Sequence, residues 1–459
     1  MMRFSRLITL SLMVLSATSC VTTTPQSKRE QSVEKAVDTP TSWASQYAGT
    51  ADHQTRWLES FNDPVMLKLI EEGKANNIDL QMAAANMDKA WLLARQSGAA
   101  LKPTADLSLG RAQSGSADGG PSNPSATVGM QVSWEVDVWG RIGAGVDAAK
   151  AQAQSAEADY IFAQHSLSAN IAKTYFKVIE AKLQANIARK NLAILEKTMR
   201  ITQVKYDNGL TSAQDVALNR ANLASAQEQL TTVEGSGRDG IRALEVLLGR
   251  YPNAELDIGK KLPDLPPPPP AGVPSEILER RPDIISAERQ IAAAYDATDQ
   301  AKAARLPRFS LTSNVSGAST SLSDVLSPTN VAWQLASNLV APLLDGGRRK
   351  IDVEVATVEQ KQSLSNYAQQ ALTAFSEVEN NLDLGKVLAD REIALIEVLS
   401  QSNKAYRIAE LRYTEGESEL LDTLQIQQQA IAAESNLLAI RRGQLEQRIN
   451  LYLSLGGSW

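Results

Sequence analysis

The chain has 459 residues and a formal net charge of −6, and its lysines and arginines form no basic run longer than pairs such as Arg280 and Arg281. This pattern argues against a nucleic-acid partner. His53 and His165 are the only histidines, and Cys20 is the only cysteine. These residues are too few and too far apart for a metal-ligand cluster, and no catalytic constellation is present, so we expect neither an enzyme nor a bound cofactor.

The first residues have the pattern of a secretory signal. Arg3 and Arg6 precede an apolar run from Leu7 to Leu15, which is too short to span a bilayer. Small residues follow, and the pattern ends at the cysteine. We therefore expect a signal peptide over residues 1–19.

Cys20 is the candidate lipidation site. The residues from Ala17 to Cys20 resemble the lipobox of bacterial lipoproteins; the alternative is a chance cysteine inside the signal. Val21 stands where an inner-membrane retention signal has aspartate, so the resemblance implies a covalent lipid on Cys20 and an outer-membrane location. Residues 20–56 then form a lipidated N-terminal tether, and the Ser, Thr, Gln and Lys content from Val21 to about Thr50 predicts a flexible stretch.

The first part of the mature chain predicts a helix followed by a β-hairpin. Strand segments are recognised by alternation of apolar and polar residues. The predicted segments are, in chain order, a helix from about Val65 to Leu101 with a break near Asn76 and Asn77, a strand around Leu107 and Leu109, a tip rich in Gly, Ser and Pro over Ser114–Ser125, and a strand over Thr127–Val138.

One very long helix follows the second strand. No glycine or proline interrupts the chain from Val146 to Asn208, and a helix over Arg141–Tyr206 would be about 100 Å long at about 1.5 Å per residue. Gly209 permits the reversal because glycine tolerates a positive φ, and Ser212 or Thr211 can cap a return helix that ends near Leu248. The glycines around Gly140 lack dinucleotide-binding spacing and are expected to allow the bend between strand and helix.

The same unit returns 207 positions later without a gap, which indicates a tandem duplication. Its strands are expected at Arg308–Ser319 and from Val331 to Leu343, with a tip near Pro328. We expect a first structural repeat over residues 57–250, a Pro-rich linker in extended polyproline II conformation over 251–282, and a second repeat over 283–459. The recurring residues are Gly140 as Gly347, Arg141 as Arg348, Tyr160 as Tyr367, Tyr206 as Tyr413, Gly209 as Gly416, Asp215 as Asp422, Leu248 as Leu455 and Gly249 as Gly456.

Four two-faced strands cannot close a barrel. Open sheet edges are not tolerated in lipid, and closed outer-membrane barrels need at least eight strands. If the hairpins enter a membrane, the chain must therefore oligomerise, and three chains would give enough strands for a pore. The alternative is a soluble four-stranded sheet with one face packed on the helices.

Several motifs resemble the TolC-like outer membrane factor family, in its lipoprotein (NodT-like) branch. They are the Pro-rich junction LPDLPPPPPAGVPSEILERRPDIISAERQ and the WEVDVWGR and APLLDGGRR sequences before the long helices; the resemblance covers Trp57 to Gly457. It implies a mainly α-helical protomer that gives four strands to a shared twelve-stranded transmembrane β-barrel in a homotrimer, above a periplasmic α-barrel of twelve helices. It also implies a passive exit duct for small molecules in a tripartite efflux pump, with a periplasmic adaptor and an inner-membrane transporter of the RND type as partners.

Two other functions stay open at the level of the sequence. A periplasmic adaptor or scaffold lipoprotein also contains a helical hairpin, although it would need one hairpin and a lipoyl-like β domain. A type I secretion duct for polypeptides shares the expected fold.

The resemblance places the candidate sites at the two helical tips. The periplasmic gate is expected at Leu421, with Asp422, Gln425 and Gln428 nearby; in this chain the two glutamines stand where many relatives have an acid and a base. The alternative for Asp422 is a solvated helix residue, like its counterpart Asp215. The adaptor-docking tips are expected at Gly209, Leu210, Thr211, Gly416, Glu417 and Ser418.

Overall fold

The computed structural model describes residues 23–45, 57–115, 117–118 and 123–457. Its regular elements, in chain order, are α1 Gln26–Glu34, α2 Pro64–Asn76, α3 Ile78–Ala99, β1 Thr104–Ser114, β2 Asn123–Val136, α4 Arg141–Asp207, α5 Ala213–Leu247, α6 Pro274–Arg280, α7 Pro282–Ala303, β3 Arg308–Ser319, β4 Val331–Val340, α8 Arg348–Glu415 and α9 Leu420–Ser454. Short 3-10 helices cover Trp57–Phe61 and Leu322–Asp324. The described chain is therefore mainly helical, with one four-stranded sheet.

The chain divides into two compact units, each built from separate stretches of sequence. The first unit contains the described residues up to Asp38, Ala85–Ala158 and Ser286–Gln370. It holds α1, the sheet, most of α3 and of α7, and the beginnings of α4 and α8. Every neighbouring pair in the sheet is antiparallel, in the order β1-β2-β3-β4.

The second unit contains the remaining described residues and has the larger apolar core. Trp57 stacks on Tyr452 with ring centroids 4.8 Å apart, and Phe61 packs against Phe176 at 5.6 Å. The hydroxyl of Tyr175 donates to Asp63 at 2.9 Å. Asp63 also caps α2, because its carboxylate accepts from the backbone of the first helical turn.

The long helix α4 confirms the prediction, since it runs from Arg141 to Asp207. The break near Asn77 is also observed: this residue has an extended backbone, and its Oδ1 accepts from the backbone N–H of Leu80 at 2.9 Å. An asparagine that caps the next helix can replace the hydrogen bonds lost at a break.

Three strand ends differ from the predicted bounds, the first being the end of β2 at Val136 instead of Val138. β2 begins at Asn123, earlier than the predicted Thr127. Its Pro124 pairs only with β1, because the pairing with β3 starts at Ala126, and a proline with one neighbouring strand is tolerated. β4 ends at Val340 instead of Leu343, which agrees with the inability of Pro342 to donate to a ladder.

Part of the stretch from Val21 to about Thr50, which the composition predicts to be flexible, is helical and contacts the rest of the chain. Residues 26–34 form α1, and Thr24 and Arg29 bind the carboxylate of Asp299 on α7. Further along, the indole of Trp43 donates to the carbonyl of Ala271 at 3.0 Å. Of these three donors, only Thr24 belongs to the Ser, Thr, Gln and Lys content that predicts flexibility.

Candidate functional site: the sheet faces and the helical tips

One face of the sheet is a continuous apolar surface. Leu107 on β1 pairs with Met130 on β2, Met130 pairs with Val315 on β3, and Val315 pairs with Trp333 on β4. Two residues further along each strand the same face recurs, because side chains alternate with a period of two. Leu107 is 70% exposed and Trp333 is 78% exposed. The sheet therefore leaves its apolar face uncovered, which contradicts the alternative of a sheet packed on the helices.

The opposite face is polar across the same four strands. Asp106 on β1 pairs with Gln131 on β2, Gln131 pairs with Asn314 on β3, and Asn314 pairs with Gln334 on β4. Only β2 and β3 have a partner on both sides, so in the described chain β1 and β4 each have one unpaired edge. Such edges are templates for pairing with another chain.

The bend between β2 and α4 is stabilised by its own side chains. Gly140 has a φ of +71°, and the Asp137 carboxylate accepts from the backbone N–H groups of Ile142 at 3.0 Å and Gly143 at 2.6 Å. Arg141 pairs with Glu135 at 2.8 Å. These contacts agree with the prediction that the glycine-rich segment allows a bend.

The first helical tip is a turn that ends α4. Gly209, with a φ of +70°, donates to the carbonyl of Tyr206 at 2.9 Å, and Leu210 donates to that of Lys205 at 2.8 Å. This is a Schellman motif, which satisfies carbonyls at the end of a helix. The side chain of Leu210 is 75% exposed at the tip.

The return helix α5 begins with a capping box. Ser212 accepts from the backbone N–H of Asp215, and the Asp215 carboxylate accepts from the backbone N–H of Ser212. Of the two predicted caps, Ser212 is therefore the observed one. The hydroxyl of Thr211 donates to Asp215 at 2.6 Å, and this hydrogen bond lowers the pKa of the Asp215 carboxyl.

The second tip has the same turn and a different helix start. Gly416, with a φ of +84°, donates to Tyr413, and Glu417 donates to the carbonyl of Arg412 at 2.7 Å. The N-cap of α9 is Glu419, whose side chain makes no capping hydrogen bond. A Cβ added at Gly209 or Gly416 would meet no atom within 4 Å, so the space beside each turn glycine is open.

The predicted gate residues share one side of α9. Leu421, Asp422, Gln425 and Gln428 are all exposed, and Leu421 is 47% exposed. The opposite side is buried through Leu420, Leu424 and Gln427. The structure thus separates this helix into an exposed gate-candidate face and a packed face. Asp422 does not repeat the capping contact of its counterpart Asp215.

A polar cluster near the tips was missed by the sequence reasoning. The hydroxyls of Thr202 on α4 and Tyr413 on α8 lie 2.9 Å apart, and the amide of Asn219 on α5 donates to Thr202 at 3.0 Å. The ammonium group of Lys205 donates to the carbonyl of Tyr413 and lies 4.1 Å from the centroid of its ring. Burial raises the pKa of Tyr413. The recurrence of Tyr206 as Tyr413 was the available signal, but only Tyr413 is buried.

Uncharged hydrogen bonds also join α9 to α4. Gln427 donates its amide to Asn191 at 2.9 Å, and the hydroxyl of Ser435 donates to Gln184 at 2.7 Å. A cavity of about 160 Å³ beside Gln427 is lined by side chains of which many are carboxamides; its lining includes Asn191, Asn222, Gln229 and Gln428. The helix with the candidate gate is thus attached to α4 by amide and hydroxyl groups, in addition to the ion pairs of Lys190 with Glu434 and of Arg442 with Glu180.

No group of three or more His, Cys, Asp or Glu residues in the described chain is arranged to hold a metal ion. Among the helices of residues 23–45, 57–115 and 123–457, none has the length and apolarity needed to cross a membrane. The lipidation candidate Cys20 lies outside the described residues.

Comparisons with known proteins agree with this architecture. The family model described as outer membrane efflux protein matches residues 69–250 and again 273–457. The chain is 30% identical over 443 residues to the pyoverdine export outer membrane protein OpmQ of Pseudomonas aeruginosa, covering 93% of each chain. It is 29% identical over 418 residues to the cation efflux system protein CusC of Escherichia coli, covering 88% of each.

A solved structure extends the match to three dimensions. The outer-membrane channel OprN superposes with a TM-score of 0.83 at 26% sequence identity, and the match covers 92% of this chain and 98% of OprN. Since the family model matches most of the chain and the relatives align over nearly their full length, this chain belongs to the outer membrane efflux protein family and is an outer-membrane efflux duct.

Proposed function

We propose that this chain is one of three identical subunits of a passive exit duct, in which each subunit gives four strands to one twelve-stranded β-barrel. The observation that carries the proposal is the apolar row through Leu107, Met130, Val315 and Trp333, which is uncovered on a sheet with two open edges. A lipid bilayer is the environment that an uncovered apolar face requires, and lipid does not tolerate unpaired strand edges. Pairing of β4 of one subunit with β1 of the next removes both edges.

Within each subunit we propose two structural repeats, over residues 57–250 and 283–459, joined by a Pro-rich linker over 251–282. Three boundaries support this division, since α4 and α8, α5 and α9, and the turns at Gly209 and Gly416 are each separated by the same 207 positions. The family model matches the chain in two separate segments, residues 69–250 and 273–457, which gives further support. Residues 1–19 would be the signal peptide, and Cys20 would carry the lipid that anchors the mature chain.

We propose that the duct conducts small molecules out of the periplasm and that it works with a periplasmic adaptor and an RND-type inner-membrane transporter. The names of two relatives refer to pyoverdine export and cation efflux, and small solutes of such different chemistry favour a duct that does not itself select its cargo. The adaptor would dock at the two tips, Gly209–Thr211 and Gly416–Ser418. Their glycine turns are exposed and similar, so three subunits would present six related docking positions.

We propose that the exposed side of α9 forms the periplasmic gate, with Leu421 as the constricting residue. Leu421, Gln425 and Gln428 recur at helical spacing on that side, and each is exposed in the single chain. Three copies of an apolar side chain around one axis can narrow a pore. Gln425 and Gln428 are uncharged and cannot form ion pairs. Asp422 is therefore the only one of the four gate residues that could take part in an ion pair.

The barrel proposal can be tested with two lysine variants of neighbouring residues. Trp333→Lys puts a charge on the apolar face, which costs about 2–4 kcal/mol at the bilayer midplane, whereas Gln334→Lys puts it on the polar face. We expect Trp333→Lys to reduce the heat-modifiable trimer seen by gel electrophoresis and Gln334→Lys to preserve it. In planar bilayers, wild-type and Gln334→Lys proteins should form channels, with altered ion selectivity in the variant. A detergent-free monomer, or equal effects of the two lysines, would overturn the proposal.

A further inference from the structure

The N-terminal segment carries a contact that neither the duct nor its gate explains. Asp299, near the end of α7, has a side chain that is only 1% exposed. Its Oδ2 accepts from the backbone N–H of Thr24 at 2.5 Å, and its Oδ1 accepts from the hydroxyl of the same threonine at 2.9 Å. Both carboxylate oxygens of one buried residue are thus directed at a single residue that lies 275 positions away in the sequence.

Arg29 completes this contact from the first turn of α1. Its guanidinium lies 2.7 Å from the carboxylate of Asp296 and 3.3 Å from that of Asp299. It also lies 5.5 Å from the ring centroid of Tyr295, within the range of a cation–π interaction. One arginine therefore contacts three residues of α7 on the side that faces the N-terminal segment.

These polar contacts, and not apolar burial, hold α1 in place. The helix has nine residues, none of which is buried, and its N-terminus has no side-chain cap. A helix of this length is marginal in water unless tertiary contacts stabilise it. Removing Thr24 and Arg29 from α7 would also leave Asp299 buried with Lys302, at 2.8 Å, as its remaining cation. The acids of α7 and the N-terminal segment therefore stabilise each other.

The position of the contact along the chain gives it a functional meaning. Thr24 is four residues after Cys20, and four residues of extended chain span about 14 Å at most. On the other side, α7 ends at Ala303 and β3 begins at Arg308, so Asp299 lies close to the root of a strand of the sheet.

We propose that Asp296 and Asp299 form a receptor for the chain's own N-terminal segment, which holds Thr24, four residues after the lipidation candidate Cys20, on the last turns of α7 before β3. The proposed lipidation matters only for what the receptor implies about the position of the lipid. The docking itself depends on Thr24 and Arg29. A lipid on Cys20 would then be tethered within about 14 Å of Thr24.

Asp299→Asn tests the receptor with an isosteric change. Both oxygens of Asp299 accept hydrogen bonds, so an amide must turn its NH2 group toward a donor and also loses the charge. In the full-length protein in detergent, we expect amide hydrogen exchange over α1 to accelerate by about tenfold or more, because a charged hydrogen-bond partner is lost. Trypsin cleavage at Lys28, Arg29 and Lys35 should accelerate with it. Glu288→Gln makes the same acid-to-amide change elsewhere on α7 and should leave both rates unchanged.

A photocrosslink tests the position of the segment next to the lipid. A benzophenone amino acid at position 22 lies two residues before Thr24 and should crosslink to residues of α7 or to the connection from α7 to β3. This crosslink should be lost in Asp299→Asn and kept in Glu288→Gln. If Asp299→Asn does not fold, Arg29→Gln should give the same faster exchange over α1 and the same loss of crosslink.

Wild-type exchange and crosslinking in both Asp299→Asn and Arg29→Gln would overturn the receptor. Incorporation of labelled palmitate separately tests the proposed lipid. A protein that is not labelled but has a protected α1 would refute the lipidation and keep the receptor. A labelled protein whose α1 is equally exposed in wild type and variant would refute the receptor and keep the lipidation.

Discussion

The hydroxyl groups of Thr202 and Tyr413 lie 2.9 Å apart, although the two residues are separated by 211 positions. Thr202 is fully buried and Tyr413 is 5% exposed. The pair joins the last turns of the two long helices, immediately before the tips at Gly209 and Gly416. Movement of the second tip away from the first must therefore break a buried hydrogen bond.

Tyr413→Phe removes this hydrogen bond with almost no change of shape. The loss leaves the buried Thr202 with one partner fewer, so we expect the tip region to be destabilised by about 1–2 kcal/mol. Hydrogen exchange at the end of α8 should accelerate, and channels in planar bilayers should open more often. Tyr206→Phe, at the exposed counterpart position, is the matched control. Equal behaviour of the two variants would refute a special role for Tyr413.

Arg281→Met breaks a buried ion pair in the second unit. The guanidinium of Arg281 lies 2.8 Å from Asp283 and 2.7 Å from Glu377, and it also donates to the carbonyl of Ser454. Because the variant takes a charged hydrogen-bond partner away from the buried Asp283 carboxylate, we expect a loss of about 3–5 kcal/mol in unfolding free energy. Thermal unfolding in detergent measures it.

Arg280→Met is the control for this change, because the neighbouring Arg280 pairs at 3.3 Å with Glu276 in a more exposed position. Surface ion pairs contribute about 0–1 kcal/mol. A loss in Arg280→Met as large as that in Arg281→Met would show that burial of the pair is not what matters.

Gly416→Val changes the second tip at a residue with a φ of +84°. A β-branched residue is strained in this conformation by about 1–2 kcal/mol, so the turn should rearrange locally while the sheet is unaffected. In a host that depends on this duct for drug resistance, we expect resistance to fall and the heat-modifiable trimer to persist. Gly209→Val should act in the same way at the first tip.

Gly235→Ala provides the comparison for the tip variants. Gly235 lies inside α5, and a Cβ there would be 3.9 Å from its nearest neighbour, an Arg238 nitrogen. Helix propensity then favours alanine, so resistance should be retained. Full resistance in both tip variants would rule out adaptor docking at these turns.

We expect the stability of the folded chain to depend on pH because of His165. Burial, with a smaller contribution from nearby Lys74, lowers the pKa of His165 from 6.5 to about 4. The folded state therefore binds the proton less tightly than the unfolded state, and stability is lost as pH falls from about 6.5 to about 4. In His165→Gln, the melting temperature should decline less across this interval than in wild type. Parallel melting curves for the two proteins would contradict this assignment.

Much of the local structure follows from the sequence alone. The alternation around Met130 and Trp134 predicts a two-faced strand, and the uninterrupted stretch after Arg141 predicts the long helix, because both periodicities arise from backbone geometry. The reversals at Gly209 and Gly416 are also local, since their positive φ favours glycine. The family resemblance was readable for the same reason, because its motifs surround these strand, helix and linker boundaries.

Only the tertiary structure decided which distant residues meet. The contacts of Thr24 with Asp299, of Thr202 with Tyr413 and of Gln427 with Asn191 each join residues more than 200 positions apart. No periodicity predicts such pairs. In the unfolded chain, hydroxyl, amide and carboxylate groups form their hydrogen bonds with water, and they need a protein partner only where packing removes that water. The sequence by itself determined the strands, the long helices and the turns. Folding decided which polar groups lost their water and therefore had to bind each other.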